Sequence, residues 1–266
     1  MQTHCNDIFE QLESWYSRDN GQYLMEAARA ATQDLLDTSF GYHILQLGVS
    51  GRRPLSQSSP INHQVYCADK LRAGAGLVSD SDALPLESDS VDTIIAHHCL
   101  EFAENPHQVL REIQRVLTPQ GQLLIIGFNP FSLLGCNTHI RGRLRDPLWS
   151  RHQPVSERRL RDWLNLLGCE VLDVFRLYAL PPVGGERLRH LISRGDAWAA
   201  RHGLVLGGVY VLHASKQVVG LHPPRRALAA RRGRLVGLVP KAAPVPVPQT
   251  SYPREKLMKD KGNVTA

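Results

Sequence analysis

Apolar positions along this chain recur first with a helical period and then in short runs. Ile8, Leu12, Trp15 and Tyr16, followed by Leu24, Ala27, Ala28, Ala31 and Leu35, keep the spacing of an amphipathic helix over residues 7–36. Asn20-Gly21 is expected to divide that helix in two. From residue 42 the pattern changes. Runs at 42–48, 64–68, 75–79 and 91–96 read as strands, the last of them nearly all apolar, as in the middle of a parallel sheet. Asn105 as N-cap and Pro106 in the first helical position open a helix over 106–117. Its apolar face carries Val109, Leu110, Ile113, Val116 and Leu117; Arg111, Glu112 and Arg115 fall on the other face. Pro119-Gln120-Gly121 then turns the chain into a strand at 122–127.

Residues 49–62, rich in Gly, Pro and Ser, read as loop, and residues 128–154 as a long irregular stretch. Ser156 caps a helix carrying Leu160, Trp163, Leu164 and Leu167, and Gly168 ends it. A strand at 169–177, a Pro-Pro-x-Gly-Gly turn at 181–185, a helix over 186–201 and a strand at 208–214 complete the pattern. Seven strands alternating with helices predict an α/β fold with a doubly wound, mostly parallel sheet. The expected organisation is an N-terminal helical segment (1–40), the α/β domain (41–216) and a Pro/Arg-rich tail (217–266). In such sheets ligands bind at the carboxyl ends of the strands, so the loops after Gly48, Asp69, Ser79, Ala96 and Gly127 should share one cleft.

Charge changes this picture at one end only. The 266 residues carry a formal net charge of +6, yet from Ala214 onward eleven Lys/Arg face two Asp/Glu. The tail is therefore basic and the body mildly acidic. A tail of this composition, with Pro244-Val245-Pro246-Val247-Pro248, is expected to be disordered or polyproline-like. It could attract nucleic acid, although Tyr252 is its sole aromatic residue for base stacking, so that partner is not favoured. No apolar run approaches the ~20 residues of a membrane span. The start of the chain lacks the basic and apolar regions of a secretory signal. Five scattered cysteines, none in a C-x-x-C pair, fit a reducing cytoplasm and predict neither a disulfide framework nor a metal site.

The residues that could carry chemistry lie at the predicted strand ends. Gln46-Leu47-Gly48-Val49-Ser50-Gly51-Arg52 follows the first strand, Asp69 the second, and Asp80-Ser81-Asp82-Ala83-Leu84-Pro85-Leu86 the third. The fourth opens with Ser90-Val91-Asp92 and ends in Ala96-His97-His98-Cys99-Leu100-Glu101. Together with the Pro119-Gln120-Gly121 turn, this order resembles the class I S-adenosylmethionine-dependent methyltransferases with a type-11 methyltransferase domain, and so implies a Rossmann-like sheet and S-adenosyl-L-methionine as cofactor. By that resemblance, Gly48 is what remains of a degenerate Gly-x-Gly-x-Gly motif, in which Gln46 replaces the acid, Ser50 the second glycine and Arg52 the third. The resemblance implies that Asp69 accepts from the ribose hydroxyls and Asp80 from the adenine amino group. It places the Ser81 backbone at the ring nitrogen and has Leu84 and Pro85 wall the adenine. Ala96 and His97 would face the methionine portion.

No acid–base triad is expected, because methyl transfer from a sulfonium needs positioning and exclusion of water more than a dedicated acid or base. His98 is a candidate general base. On an extended backbone His97 and His98 should point opposite ways, which argues against a shared metal. Asn129 is a second candidate; Asn129-Pro130-Phe131 is similar to the Asn-Pro-Pro-aromatic motif of amino-methyltransferases but follows the wrong strand and lacks a proline. The basic loop Arg141-Gly142-Arg143-Leu144-Arg145 could meet an anionic substrate. The leading expectation is a methyltransferase acting on a small-molecule acceptor. The alternative is a degenerate relative that binds without catalysis, with its tail on nucleic acid.

Overall fold

A computed structural model describes residues 6–49, 54–71, 74–177 and 207–217. The expected turn at 181–185, the helix over 186–201 and the basic tail lie outside the described residues. Two helices, α1 (Asn6–Tyr16) and α2 (Asp19–Asp37), precede the sheet. The break between them falls at Ser17-Arg18, not at Asn20-Gly21. Gly21 lies in the first turn of α2, where a Cβ would stand 2.4 Å from the carbonyl oxygen of Trp15. Its role is to let α2 pass close against the end of α1, which a pattern of breakers does not reveal.

The seven strands are β1 (His43–Gly48), β2 (His63–Ala68), β3 (Leu77–Val78), β4 (Val91–His97), β5 (Leu117–Phe128), β6 (Cys169–Leu177) and β7 (Val209–Lys216). They form one sheet in the order β3-β2-β1-β4-β5-β7-β6. The first five are parallel neighbours; β7 runs antiparallel to both β5 and β6. The expected doubly wound, mostly parallel sheet is therefore the observed one. The chain reverses direction across the sheet between β1 and β4, the place where such folds take their ligands.

Alternate residues of each central strand feed opposite faces. Leu45, Leu47, Ile94, Ala96, Leu123 and Ile125 pack in one layer with Val109, Leu110, Ile113 and Val116 of α3 (Pro106–Val116) and with Leu160 and Leu164 of α5 (Glu157–Leu166). Ile44, Ile95, Leu124 and Ile126 pack in the other with Ile8, Leu12, Tyr16, Leu24 and Leu36 of α1 and α2. Burying one such aliphatic side chain is worth roughly 1.5–3 kcal/mol. The Asn105 cap, whose side chain accepts from the Gln108 N–H, adds about 1 kcal/mol. Four buried apolar residues, more than its cap, therefore hold α3 in place.

Two segments depart from the sequence pattern. β5 begins at Leu117, directly after α3: Leu117 pairs with Val91, and the ladder resumes at Gln122 with Thr93. The Pro119-Gln120-Gly121 turn is thus a bulge inside the strand, with Gln120 in the left-handed region (φ 66°). The stretch expected to be irregular contains α4 (Leu133–Arg143), opened by Ser132, whose hydroxyl accepts from the Gly135 N–H at 2.9 Å. Its sequence has no apolar stripe. It is seated through Gly135 and Gly142, where a Cβ would meet the carbonyl oxygens of Asn129 and Trp149 at 2.2 and 2.6 Å.

Candidate functional site at the carboxyl ends of the strands

β1 ends at Gly48 with φ +85°, and a Cβ there would stand 2.1 Å from the carbonyl oxygen of His97 on β4. The chain leaves the sheet hugging β4, with the Val49 N–H donating to that same carbonyl at 3.0 Å. Only glycine combines this conformation with this approach. Gln46, in the position of the family's acid, is fully buried. Its amide nitrogen donates to the Val49 carbonyl at 2.9 Å, and its oxygen accepts from the N–H groups of Leu55 and Ser56 at 2.9 and 3.3 Å. These donors begin the short 3₁₀ turn Leu55–Ser58. Gln46 therefore organises the loop that follows it, a role its sequence position does not disclose.

Asp69 follows β2 directly and is half-buried; Asp80 lies just beyond β3 and is exposed. Ser81 is half-buried in the turn closed by the Ala83 N–H donating to the Asp80 carbonyl. Leu84 turns into the core beside α3, so its side chain packs with Val109 and Leu110. Pro85 is exposed.

The segment is clamped from α3. The Leu84 N–H donates to Glu112 at 3.2 Å, while Arg115 donates to the carbonyls of Leu84 and Leu86 at 3.0 and 2.9 Å. Arg115 and Glu112 pair at 2.8 Å, and this pairing lowers the carboxyl pKa of Glu112. On a helical wheel both residues read as solvated; in the fold they position the Asp80 turn.

Ala96 is buried, and His97 beside it is fully buried. The His97 Nδ1–H donates to the Val49 carbonyl at 2.8 Å, leaving Nε2 buried without a partner. Burial, aided by neighbouring His98, pulls its pKa down to about 3, so the ring is neutral. His98 lies in the left-handed region (φ 56°), not in extended conformation. The two rings consequently do not point opposite ways. Their centroids are 4.8 Å apart, and both lie against Tyr16.

His98 joins a buried chain of short contacts. Tyr16 Oη lies 2.6 Å from His98 Nε2, and His98 Nδ1 lies 2.6 Å from Glu101 Oε2. The other Glu101 oxygen accepts from the Phe128 N–H and stands 3.6 Å from His152 Nε2. Burial by itself would raise the Glu101 pKa, but His98 and His152 outweigh it and hold the group at about 2. Against an ionised Glu101, His98 donates from Nδ1. Burial, together with the Glu101 charge, raises the Tyr16 pKa well above its ordinary value. Phe128 stacks on His98 at 4.0 Å. Gly127 leaves room for Tyr210 beside the carboxylate: a Cβ there would stand 2.5 Å from Tyr210 Oη and 3.2 Å from Glu101 Oε1.

Asn129 spends its side chain on the backbone, donating to the Gly207 carbonyl at 2.9 Å and accepting from the Phe131 N–H at 3.0 Å. In the basic segment Arg141 is paired with Asp146 at 2.7 Å, while Arg143 and Arg145 are exposed. The β1–β4 pairing thus brings Gly48, Ala96, His97 and His98 together, while Asp80 and Ser81 lie in the turn after β3, whose continuation at Leu84 and Leu86 is held to α3. Sequence reasoning missed Tyr16, Glu101, Glu112 and Arg115: Glu101–His98 and Glu112–Arg115 are local pairs, but the bonds that join them to Tyr16, Phe128, Leu84 and Leu86 form only in the fold. Among the described residues no helix is long and apolar enough to cross a membrane.

Residues 57–125 match the model of the methyltransferase domain family. The Escherichia coli K12 protein YafS is 29% identical over 174 residues, which are 64% of this chain and 70% of YafS. A solved Thermotoga maritima structure, titled as a SAM-dependent methyltransferase and possible histamine N-methyltransferase, superposes with TM-score 0.56 at 17% identity. That match covers 79% of this chain and 99% of the other. A SAM-dependent methyltransferase from Archaeoglobus fulgidus gives 0.50 at 18% identity, over 72% and 94% of the two chains. Residues 57–125 thus match the methyltransferase domain family, and the sheet that carries them has the class I methyltransferase fold.

Proposed function

We propose that this protein transfers a methyl group from S-adenosyl-L-methionine to a small-molecule acceptor. The observation that carries the reading is the Asp80 turn, which falls within the matched domain, follows β3 and leads into a backbone held to α3 by Glu112 and Arg115. Asp80 would hold the adenine amino group, the Ser81 backbone the ring nitrogen and Asp69 the ribose hydroxyls. Leu84 shapes this end from inside the core. Gly48, Ala96 and His97 would face the methionine portion. The buried, unpartnered Nε2 of His97 supports a polar ligand at that end. The cofactor supplies an activated methyl on a sulfonium; the chain's own residues bind, orient and exclude water. His98, held by Glu101, is proposed to take up the proton that the acceptor loses.

Calorimetric titration of S-adenosylmethionine and S-adenosylhomocysteine into the purified chain tests this. Binding in the micromolar range is expected. Absence of binding at millimolar cofactor would favour the non-catalytic binding-module reading, in which the basic tail becomes the place to look.

A further inference from the structure

We propose that the cleft between α3 and α5 is a binding site for a small organic carboxylate, with Arg159 holding the charge and the wall at 154–155 receiving the apolar body. This inference goes beyond the methyl-transfer reading and does not depend on it.

The cleft has a volume of about 370 Å³, within the range of small-molecule sites. Its lining comes from the first turn of α3 with His107, from Arg159 and Trp163 of α5, and from residues 152–155. Two bonds pin that last segment. The Gln153 N–H donates to the Glu101 carbonyl at 2.8 Å, and the Val155 carbonyl accepts from the Tyr210 hydroxyl at 3.0 Å. A wall fixed before the ligand arrives removes the cost of ordering it on binding.

Arg159 supplies the charge. The Ser156 hydroxyl caps α5 and accepts from the Arg159 N–H at 3.4 Å, which sets this residue in the first helical turn. Trp163 follows four residues later, on the same side of the helix. The guanidinium lies over the indole, 5.0 Å from its centroid, and the indole meets the His107 ring at 4.0 Å. Stacking fixes the guanidinium plane without using any of its N–H donors.

Among the described residues no carboxylate pairs with Arg159, and the nearby acids are otherwise placed. Glu157 is paired with Arg161 and Arg176 at 3.0 and 2.8 Å. Asp162 is exposed and makes no ion pair with Arg159. Glu101 is buried beyond His152, whose Nε2 stands 3.6 Å from it, and is bonded to His98 and to the Phe128 N–H. No Asp or Glu lines the cleft.

The lining also selects the ligand. One unpaired guanidinium matches one carboxylate, whose two oxygens accept side by side from the fork. A phosphate dianion calls for a second fixed cation, and no lysine or further arginine lines the cleft. An uncharged ligand would cover the guanidinium without a counter-charge. Pro154 and Val155 offer apolar surface to the rest of the molecule.

The test uses the full chain without cofactor and benzoate as the probe. Binding is followed through the Trp163 indole N–H resonance, which Trp163→Phe assigns. Wild type should saturate with a dissociation constant on the order of 1 mM. Benzyl alcohol, the uncharged counterpart, and inorganic phosphate should each bind at least about tenfold more weakly. Arg159→Met keeps the aliphatic stem on the indole and should lose about tenfold to a hundredfold in benzoate affinity. Arg159→Lys keeps the charge without the fork and should recover only part of that loss. Arg158→Met, the adjacent exposed arginine outside the lining, should bind benzoate as wild type does. Arg159 is itself exposed, so its variants should fold as wild type does. Unchanged benzoate affinity in Arg159→Met, benzyl alcohol or phosphate bound as tightly as benzoate, or no saturation up to about 20 mM would each overturn the proposal. The readout needs no cofactor, so failure of S-adenosylmethionine to bind would bring down the methyl-transfer reading alone.

Discussion

The Gln46 side-chain amide donates to the Val49 carbonyl across 2.9 Å while its oxygen receives the Leu55 and Ser56 N–H groups. The residue that replaces the family's acid is thus the hub of its own loop. Restoring the acid with Gln46→Glu would keep the acceptor and turn the donor into a second carboxylate oxygen facing a carbonyl in a buried site. The expected outcome is a loss of roughly 1–3 kcal/mol in urea unfolding, with no gain in cofactor affinity. A variant that binds S-adenosylhomocysteine more tightly at unchanged stability would refute this account of the loop.

Gly48→Ala should be among the most damaging single changes in the sheet. The left-handed conformation costs an alanine about 1–2 kcal/mol. The added Cβ also meets the His97 carbonyl at 2.1 Å, so β1 and β4 must part at the switch point. A destabilisation above about 2 kcal/mol is expected from chemical denaturation, with cofactor binding lost alongside.

Asp80 and Arg115 separate contact from positioning. Asp80→Ala, at an exposed turn residue, should leave the melting temperature nearly unchanged and weaken cofactor binding by ~1.5–3 kcal/mol, the range of a lost charge-assisted hydrogen bond. Arg115→Met removes the donors to Leu84 and Leu86 and should weaken binding less, about threefold to tenfold, by loosening the turn. Faster amide exchange at Leu84 in the arginine variant alone would confirm the division of roles.

Acid should destabilise this protein through two overlapping pH windows. The unfolded chain protonates His97 at about pH 6.5, whereas the folded chain refuses that proton until about pH 3. Stability therefore falls as pH drops through this window, by at most about 1.4 kcal/mol per pH unit. His213, buried and also lowered, acts in the same direction. Glu101 is depressed from 4.5 to about 2, so the stability it contributes is lost as pH falls from 4.5 toward 2. Urea midpoints measured at intervals from pH 7 to pH 4 should slope downward, and His97→Asn should flatten the part between pH 6.5 and 4.5. An unchanged slope would assign the acid lability to other groups.

How much of this was legible beforehand varies by element. β4 and α3 were readable because an apolar run and an apolar stripe are local properties, and so was the Asp80–Leu86 segment, whose residues are adjacent. α4 was not, because glycines seat it by contact with Asn129 and Trp149 rather than by an apolar stripe. The expected opposition of the two histidines failed for the same kind of reason. Alternation holds on an extended backbone, and His98 leaves that conformation as β4 ends.

The sequence by itself determined the order of the strands, the helices other than α4, the sheet they form and the likeness of residues 57–125 to the methyltransferase domain family, since hydrophobic period, caps and turns act over a few residues. Tertiary structure alone decided what the polar residues do. Gln46 has a loop to organise only once residues 49 and 55 fold back on β1. Glu112 and Arg115 become a clamp only when α3 lies beside the Asp80 turn. Tyr16 meets His98, 82 residues away, only because α1 packs over the end of β4. Hydrogen bonds are directional and short, so a partner distant in the chain cannot be assigned until the backbone has brought it within about 3 Å.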